Sequence, residues 1–163
     1  MNKQKTNISV VGAGFVGMSL AVLLSEKNHV IVLDSDKDRV EKINKKQSTV
    51  LDKDIENFLS TKPLNLSATS DSNVAYSDAD FVIVATPTDY NEALGKFDTS
   101  SVDSVVEAVL EVNCRALVVI KSTVPVGYIL SLQSRFKTSR VVFSPEFLRE
   151  GSALHDNLFP SRI

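Results

Sequence analysis

Short runs of consecutive Val and Ile alternate along the chain with stretches in which apolar residues recur every three or four positions. Consecutive apolar residues mark strands buried on both faces. On that basis strands are expected at Ile8–Val11, His29–Leu33, Leu66–Ala68, Phe81–Ala85, Ala116–Lys121 and Val141–Phe143. The intervening segments read as helices: Phe15–Lys27, then Lys37–Lys46 with Val40 and Ile43 turned inward, then a short turn of helix at Ile55, Phe58 and Leu59. Further on, Val102, Val105, Val106, Val109 and Leu110 form the inner stripe of another helix, and Tyr128–Phe136 forms one more. The polar stretch Ser67–Asp80 reads as a loop or short helix. Strands separated by helices call for right-handed crossovers and a parallel sheet covered on both faces. The expected fold is therefore α/β, a doubly wound parallel sheet of about six strands. With no internal repeat, low-complexity tract or linker, residues 1–163 are expected to form one domain.

The strongest local pattern is Gly12-Ala13-Gly14-Phe15-Val16-Gly17, directly after the first strand and opening the first helix. In that setting Gly12 permits a tight turn, Gly14 lets a pyrophosphate approach the backbone, and Gly17 lets the helix pack closely on the strand. The helix N-terminus, with Phe15 and Val16 in its first turn, offers unpaired N–H groups and a partial positive charge to phosphates. Asp34 ends the second strand, 22 positions after Gly12, where its carboxylate can accept hydrogen bonds from both ribose hydroxyls. A 2′-phosphate there would meet negative charge, so NAD is preferred to NADP and a Rossmann-type fold is implied. The alternative for Asp34 is that it only caps the helix beginning near Asp36.

Composition narrows the field. The 163 residues are 43% apolar and 23% charged, which excludes disorder, collagen-like repetition and a disulfide scaffold. Lys and Arg number 18 against 20 Asp and Glu, with no basic cluster longer than Lys45-Lys46, so nucleic acid is not an expected partner. The uncharged run Ile8–Leu24 follows Lys3 and Lys5 in the manner of a signal peptide, but three glycines interrupt it. It is also too short and broken to cross a membrane. The single cysteine, Cys114, cannot form an internal disulfide and fits a cytoplasmic protein. No His, Cys or carboxylate group has metal-ligand spacing. His29 stands at the start of a strand, away from the cofactor edge, and His155 in the terminal segment; neither is a convincing acid or base.

Ligands of such sheets sit beyond the carboxyl ends of the strands. There the chain has Thr86-Pro87-Thr88, then Lys121-Ser122-Thr123-Val124-Pro125-Val126-Gly127, then Ser144-Pro145-Glu146-Phe147-Leu148-Arg149-Glu150-Gly151. Their hydroxyls can meet ribose, nicotinamide or water, or simply satisfy backbone. The two carboxylates can serve chemistry, or be paired with Arg149 or lysines. Together with the glycine turn and Ala85-Thr86-Pro87-Thr88-Asp89-Tyr90, these motifs make the chain resemble the N-terminal NAD-binding domain of the UDP-glucose/GDP-mannose dehydrogenase family.

That resemblance implies oxidation of a nucleotide sugar's C6 alcohol to a carboxylate with two NAD molecules, UDP-glucose being the expected substrate. GDP-mannose and UDP-N-acetylmannosamine are alternatives, as is an NAD-sensing module without catalysis. It further implies that Val16, Asp34, Arg39, Thr88 and Thr123 touch NAD, with Glu150 also near the cofactor. Thr123 would help hold a catalytic water, and Glu146, Phe147, Leu148, Arg149 and Glu150 would line the sugar-nucleotide side. Either Glu146 or Glu150 could act on the hydrolytic water. Family members attack the aldehyde with a cysteine thiolate. Cys114, just before the fifth strand, stands at the opposite end of the sheet and reads as a small buried or loop residue. The family's central helix and C-terminal substrate domain, which carry that nucleophile, are expected to lie outside this chain, leaving it inactive alone; the parent enzyme is expected to be a homodimer.

Overall fold

A computed structural model describes residues 5–92 and 95–160. Lys3 and the Ser161–Ile163 end of the expected domain lie outside the described residues. The elements run β1 (Asn7–Val11), α1 (Phe15–Ser25), β2 (His29–Leu33), α2 (Lys37–Asn44), α3 (Lys53–Thr61), β3 (Leu66–Thr69), α4 (Ser72–Tyr76) and β4 (Phe81–Val84). They continue through a small hairpin, β5 (Tyr90–Asn91) and β6 (Lys96–Phe97), to α5 (Ser100–Val112), β7 (Leu117–Ile120), α6 (Tyr128–Phe136), β8 (Val141–Phe143) and α7 (Ala153–Leu158). The six expected strands form one sheet in the order β3-β2-β1-β4-β7-β8, every neighbouring pair parallel. Strand order therefore reverses between β1 and β4, the point where a doubly wound sheet opens a crevice at its carboxyl edge.

Alternation along each strand feeds two cores. Val11, Val82, Val84, Val118 and Ile120 pack with Tyr76 of α4, Val102, Val106 and Val109 of α5 and Leu132 of α6. On the other face Ile8, Val10, Val30 and Val32 pack with Met18 and Val22 of α1, Ile43 of α2, Ile55 and Leu59 of α3 and Leu154 of α7. Full burial of each such side chain contributes about 1.5 to 3 kcal/mol. Both faces being covered explains the continuous Val and Ile runs.

Several boundaries differ from the expectation, for local reasons. α1 ends at Ser25 rather than Lys27, because the Lys27 and Asn28 N–H groups both turn back to the Leu24 carbonyl. The polar stretch after β3 takes the short-helix form of its two expected readings, as α4, which buries Ala75 and Tyr76. Asn113 then locks that segment, its side-chain amide donating to the carbonyls of Tyr76 and Ala79, each at 2.9 Å. The β5–β6 hairpin and α7 were not expected. Cys114 is an exposed turn residue rather than a buried one, at the amino end of β7 as expected. Among the described residues no helix is long and apolar enough to cross a membrane.

Candidate functional site at the sheet switch point

The end of β1 is bonded to the end of β2, the Gly12 N–H donating to the Leu33 carbonyl at 2.9 Å. Gly12 has φ +101°, and a Cβ there would lie 2.6 Å from the Ala85 carbonyl oxygen, so glycine is required twice over. A Cβ on Gly17 would lie 1.8 Å from the Gly12 carbonyl oxygen, which makes Gly17 the packing glycine behind the turn. Gly14 differs from both, since a Cβ there meets nothing within 4 Å. It is the N-cap of α1, with no side-chain cap and no acidic residue in the first turn. Open space in front of uncapped N–H groups suits an anion.

Asp34 faces this turn. Its Oδ2 accepts from Ala13 N–H at 2.7 Å and its Oδ1 from Asp36 N–H at 2.9 Å. The cap of α2 is Asp36, which accepts from the Asp38 and Arg39 N–H groups, so the reading of Asp34 as the helix cap is wrong. Arg39 reaches back over the first turn of α2, Nη1 standing 3.6 Å from Asp34 Oδ2 and Nε 3.6 Å from Asp36 Oδ2. From the α2–α3 connection, Thr49 Oγ1 donates to the Ala13 carbonyl at 2.6 Å and braces the turn from its far side.

A cavity of about 1020 Å³ runs along the carboxyl edge of the sheet from this turn to the acidic loop. Gly12, Gly14, Phe15, Val16, Asp34 and Arg39 line one end of it. Its middle is formed by two loops tied together. Thr88 Oγ1 donates to the Thr123 carbonyl at 2.8 Å, and Ser122 Oγ to the Thr86 carbonyl at 2.6 Å. Thr88 and Ser122 thus spend their hydroxyl protons on backbone, whereas Thr123 stands exposed at the cavity.

The far end is lined by Glu146, Leu148, Arg149 and Glu150, while Phe147 is 83% exposed and outside the wall. Glu146 Oε2 is buried without a hydrogen-bond partner. Burial pushes its carboxyl up to about 7, partly offset by the ammonium of Lys121 at 3.8 Å. Arg149 is paired not with either glutamate but with Asp156, through Nη2–Oδ1 at 2.7 Å and Nε–Oδ2 at 3.1 Å. Of the alternative in which the glutamates are paired with Arg149 or lysines, the Arg149 part is wrong and the lysine part holds for Glu146, through Lys121. Those bonds hold the Asp156 carboxyl down at about 2. Glu150 is exposed at the cavity mouth. From sequence Lys121 was placed at the cofactor edge but not paired with Glu146, and Thr49 was not singled out. A lysine closing an apolar strand was a usable signal for the first, whereas nothing local marks the second. Among the described residues no group of three or more His, Cys, Asp or Glu could hold a metal.

Residues 6–163 match the profile of the UDP-glucose/GDP-mannose dehydrogenase family, NAD binding domain. The chain is 49% identical over 156 residues to the UDP-glucose 6-dehydrogenase of Streptococcus pneumoniae, and 48% identical over 158 residues to that of Campylobacter jejuni. Each match covers 96% of this chain and 40% of the relative, so the chain spans about two fifths of their length. Among solved structures, a UDP-glucose dehydrogenase from Pyrobaculum islandicum superposes with a TM-score of 0.83 at 30% identity, over 99% of this chain and 40% of that one. A GDP-mannose dehydrogenase from Pseudomonas aeruginosa, solved as a ternary complex, superposes with a TM-score of 0.80 at 26% identity, over 94% of this chain and 39% of that one. The Gly-rich turn, the acid after β2 and the loops beyond β4, β7 and β8 thus sit on a sheet shared with these dehydrogenases, and the chain belongs to the UDP-glucose/GDP-mannose dehydrogenase family as its NAD binding domain.

Proposed function

We propose that this domain supplies the NAD side, and one wall of the sugar side, of a UDP-glucose 6-dehydrogenase. The observation that carries this reading is the single cavity that joins the glycine turn to the Glu146–Glu150 loop. NAD fits the near end: Gly14 leaves an open cradle in front of the N-terminus of α1, and Asp34 presents a carboxylate beside it. In this reading Gly14, Phe15 and Val16 offer backbone to the pyrophosphate, and Asp34 with Arg39 takes the adenosine ribose. Thr88 and Thr123 adjoin the nicotinamide.

Oxidation of the C6 alcohol to a carboxylate removes four electrons as two hydrides, takes one oxygen from water and releases three protons. NAD supplies the hydride acceptor, used twice. This chain's own residues handle the water. Thr123 orients it, and Glu146, whose carboxyl lies near neutrality, takes its proton. Glu146 is preferred to Glu150 as the base because it is the less exposed of the two, with Oε2 buried. Leu148, Arg149 and Glu150 line the approach of the nucleotide sugar. The nucleophile that attacks the aldehyde comes from chain outside these residues, since Cys114 lies at the opposite end of the sheet. A lone thiol suits the reducing cytoplasm.

Titration calorimetry with NAD and NADP tests the cofactor half directly, and a clear preference for NADP would overturn it. For the sugar half, this chain is exchanged for the matching segment of the Streptococcus pneumoniae relative. UDP-glucose should then yield two NADH per sugar, and a folded chimera that binds NAD but yields none would overturn that half.

A further inference from the structure

Lys121, the first residue after β7, has a side chain only 12% exposed, an unusual degree of burial for lysine. Its ammonium donates to Ser144 Oγ at 3.3 Å and to the Pro145 carbonyl at 3.2 Å, and lies 3.8 Å from Glu146 Oε2. These are three successive residues leaving β8, so one cation gathers the whole turn through which the acidic loop departs from the sheet. The geometry separates two effects. Direct hydrogen bonds fix the turn, while the carboxylate is approached beyond hydrogen-bond distance. A direct bond would pin the carboxylate to the lysine, and Oε2 is buried with no such bond.

We propose that Lys121 is a positioning residue: by clamping Ser144 and Pro145 it holds the Glu146 carboxylate on the cavity wall, charge-balanced across a gap rather than tied up in a hydrogen bond. This deepens the role given to Glu146 above and rests on it. Other charged groups around the cavity are otherwise engaged or remote in exposure. Asp34 and Arg39 face each other at the opposite end, Arg149 is held by Asp156, and Glu150 is exposed. Burying an ammonium is costly unless it is paired and hydrogen-bonded, and the two oxygen acceptors with the nearby carboxylate meet that requirement.

The test is a carboxyl-carbon NMR titration of the labelled chain, with the Glu146 signal assigned by its loss in Glu146→Gln. The wild-type midpoint should fall at about 7. In Lys121→Met it should rise by about one pH unit, because the opposite charge that favours the ionised form is gone. Lys121→Arg, which keeps a cation, should return the midpoint most of the way. A lysine that only braces the turn would leave the midpoint where it was, and that result in a folded Lys121→Met overturns the proposal. Should Lys121→Met fail to fold, the wild-type chain decides. The Lys121 side-chain resonances must then show a step at the Glu146 midpoint, and their failure to do so overturns it equally. The role of Glu146 in hydrolysis is checked apart, in the chimera. A fully active Glu146→Gln chimera would remove that role, whatever the titration shows.

Discussion

Asp34 Oδ2 accepts the Ala13 N–H at 2.7 Å, so the residue that closes β2 braces the turn that closes β1. Under the proposed function one carboxylate does two jobs, shaping the glycine turn and presenting charge to a ribose. Asp34→Ala should weaken NAD binding by about 1 to 3 kcal/mol through the lost charge-assisted hydrogen bonds. It should also lower the unfolding temperature without NAD, because the Ala13 and Asp36 N–H groups lose their acceptor. Calorimetry and thermal melts separate the two effects; unchanged NAD affinity with a lowered melt would leave Asp34 a purely structural residue.

The three glycines of the turn should respond differently to the same change. Gly14→Ala places its methyl in open space, so stability should fall only by about 1 kcal/mol, the cost of Ala in place of Gly at an N-cap. NAD affinity should nevertheless fall about tenfold, or 1.4 kcal/mol, if a phosphate packs there. Gly17→Ala, by contrast, drives a methyl to 1.8 Å from the Gly12 carbonyl oxygen and should destabilise the fold by about 3 kcal/mol or more. A Gly14→Ala chain that binds NAD normally would remove the pyrophosphate from this turn.

This contrast also marks what could be read from the chain. Periodicity located the four central strands because the sheet there is covered on both faces and no solvated face dilutes the Val and Ile runs, whereas the edge strand β3 (Leu66–Thr69) carries neither Val nor Ile and leaves Ser67 exposed. The glycine turn and Asp34 were legible because their spacing is fixed by one strand, one turn and one helix. Tyr76 was missed as core, since a five-residue helix contributes only a single stripe position beside Ala75 and no period emerges. The β5–β6 hairpin has two-residue strands, too short to alternate visibly. Partnerships such as Lys121 with Ser144, Pro145 and Glu146, or Arg149 with Asp156, depend on how separate loops meet. Charge along the sequence offered several partners for each, and only the folded geometry chooses among them.

Asp52 is another such residue, a carboxylate 2% exposed that joins segments 102 residues apart. Its Oδ1 caps α3 through the Asp54 and Ile55 N–H groups, and its Oδ2 accepts from Leu154 N–H at 3.3 Å. Asp52→Ala should cost about 2 to 4 kcal/mol, combining a lost cap with a buried donor left unpaired. Because Asp52 accepts the Leu154 N–H directly, that amide should lose its protection against hydrogen exchange before the sheet amides do. Equal loss across all amides would show that Asp52 stabilises the whole fold rather than this junction.

The Arg149–Asp156 pair sets an acid limb. The Asp156 carboxyl is lowered to about 2, so the stability it contributes is present above the unfolded value near 3.8 and is lost as pH falls through about 2. Asp156→Asn should therefore melt earlier than wild type at pH 6, and the two curves should converge toward pH 2. The effect is a small one, as Arg149 is 74% exposed and water screens the pair. Melts that differ equally at both pH values would assign the loss to something other than ionisation.

Glu146 runs the other way. Its carboxyl is raised to about 7 from an ordinary 4.5, chiefly by burial, so the folded chain holds this proton more tightly than the unfolded one. Stability should then decline as pH rises from about 4.5 to 7, and flatten above, because ionising the buried carboxyl opposes folding. Glu146→Gln is neutral at every pH and keeps the shape of the side chain. It should melt close to wild type at pH 4.5, where both forms are mostly uncharged, and later than wild type at pH 8. A variant that gains stability at pH 8 while losing the predicted hydrolytic activity in the chimera would show a group kept against the fold's own preference, which is how a poised base behaves. Equal melts at pH 8 would instead mean that Lys121 balances the charge completely, leaving Glu146 ionised at no cost to the fold and too weak a base at neutrality for the role assigned to it.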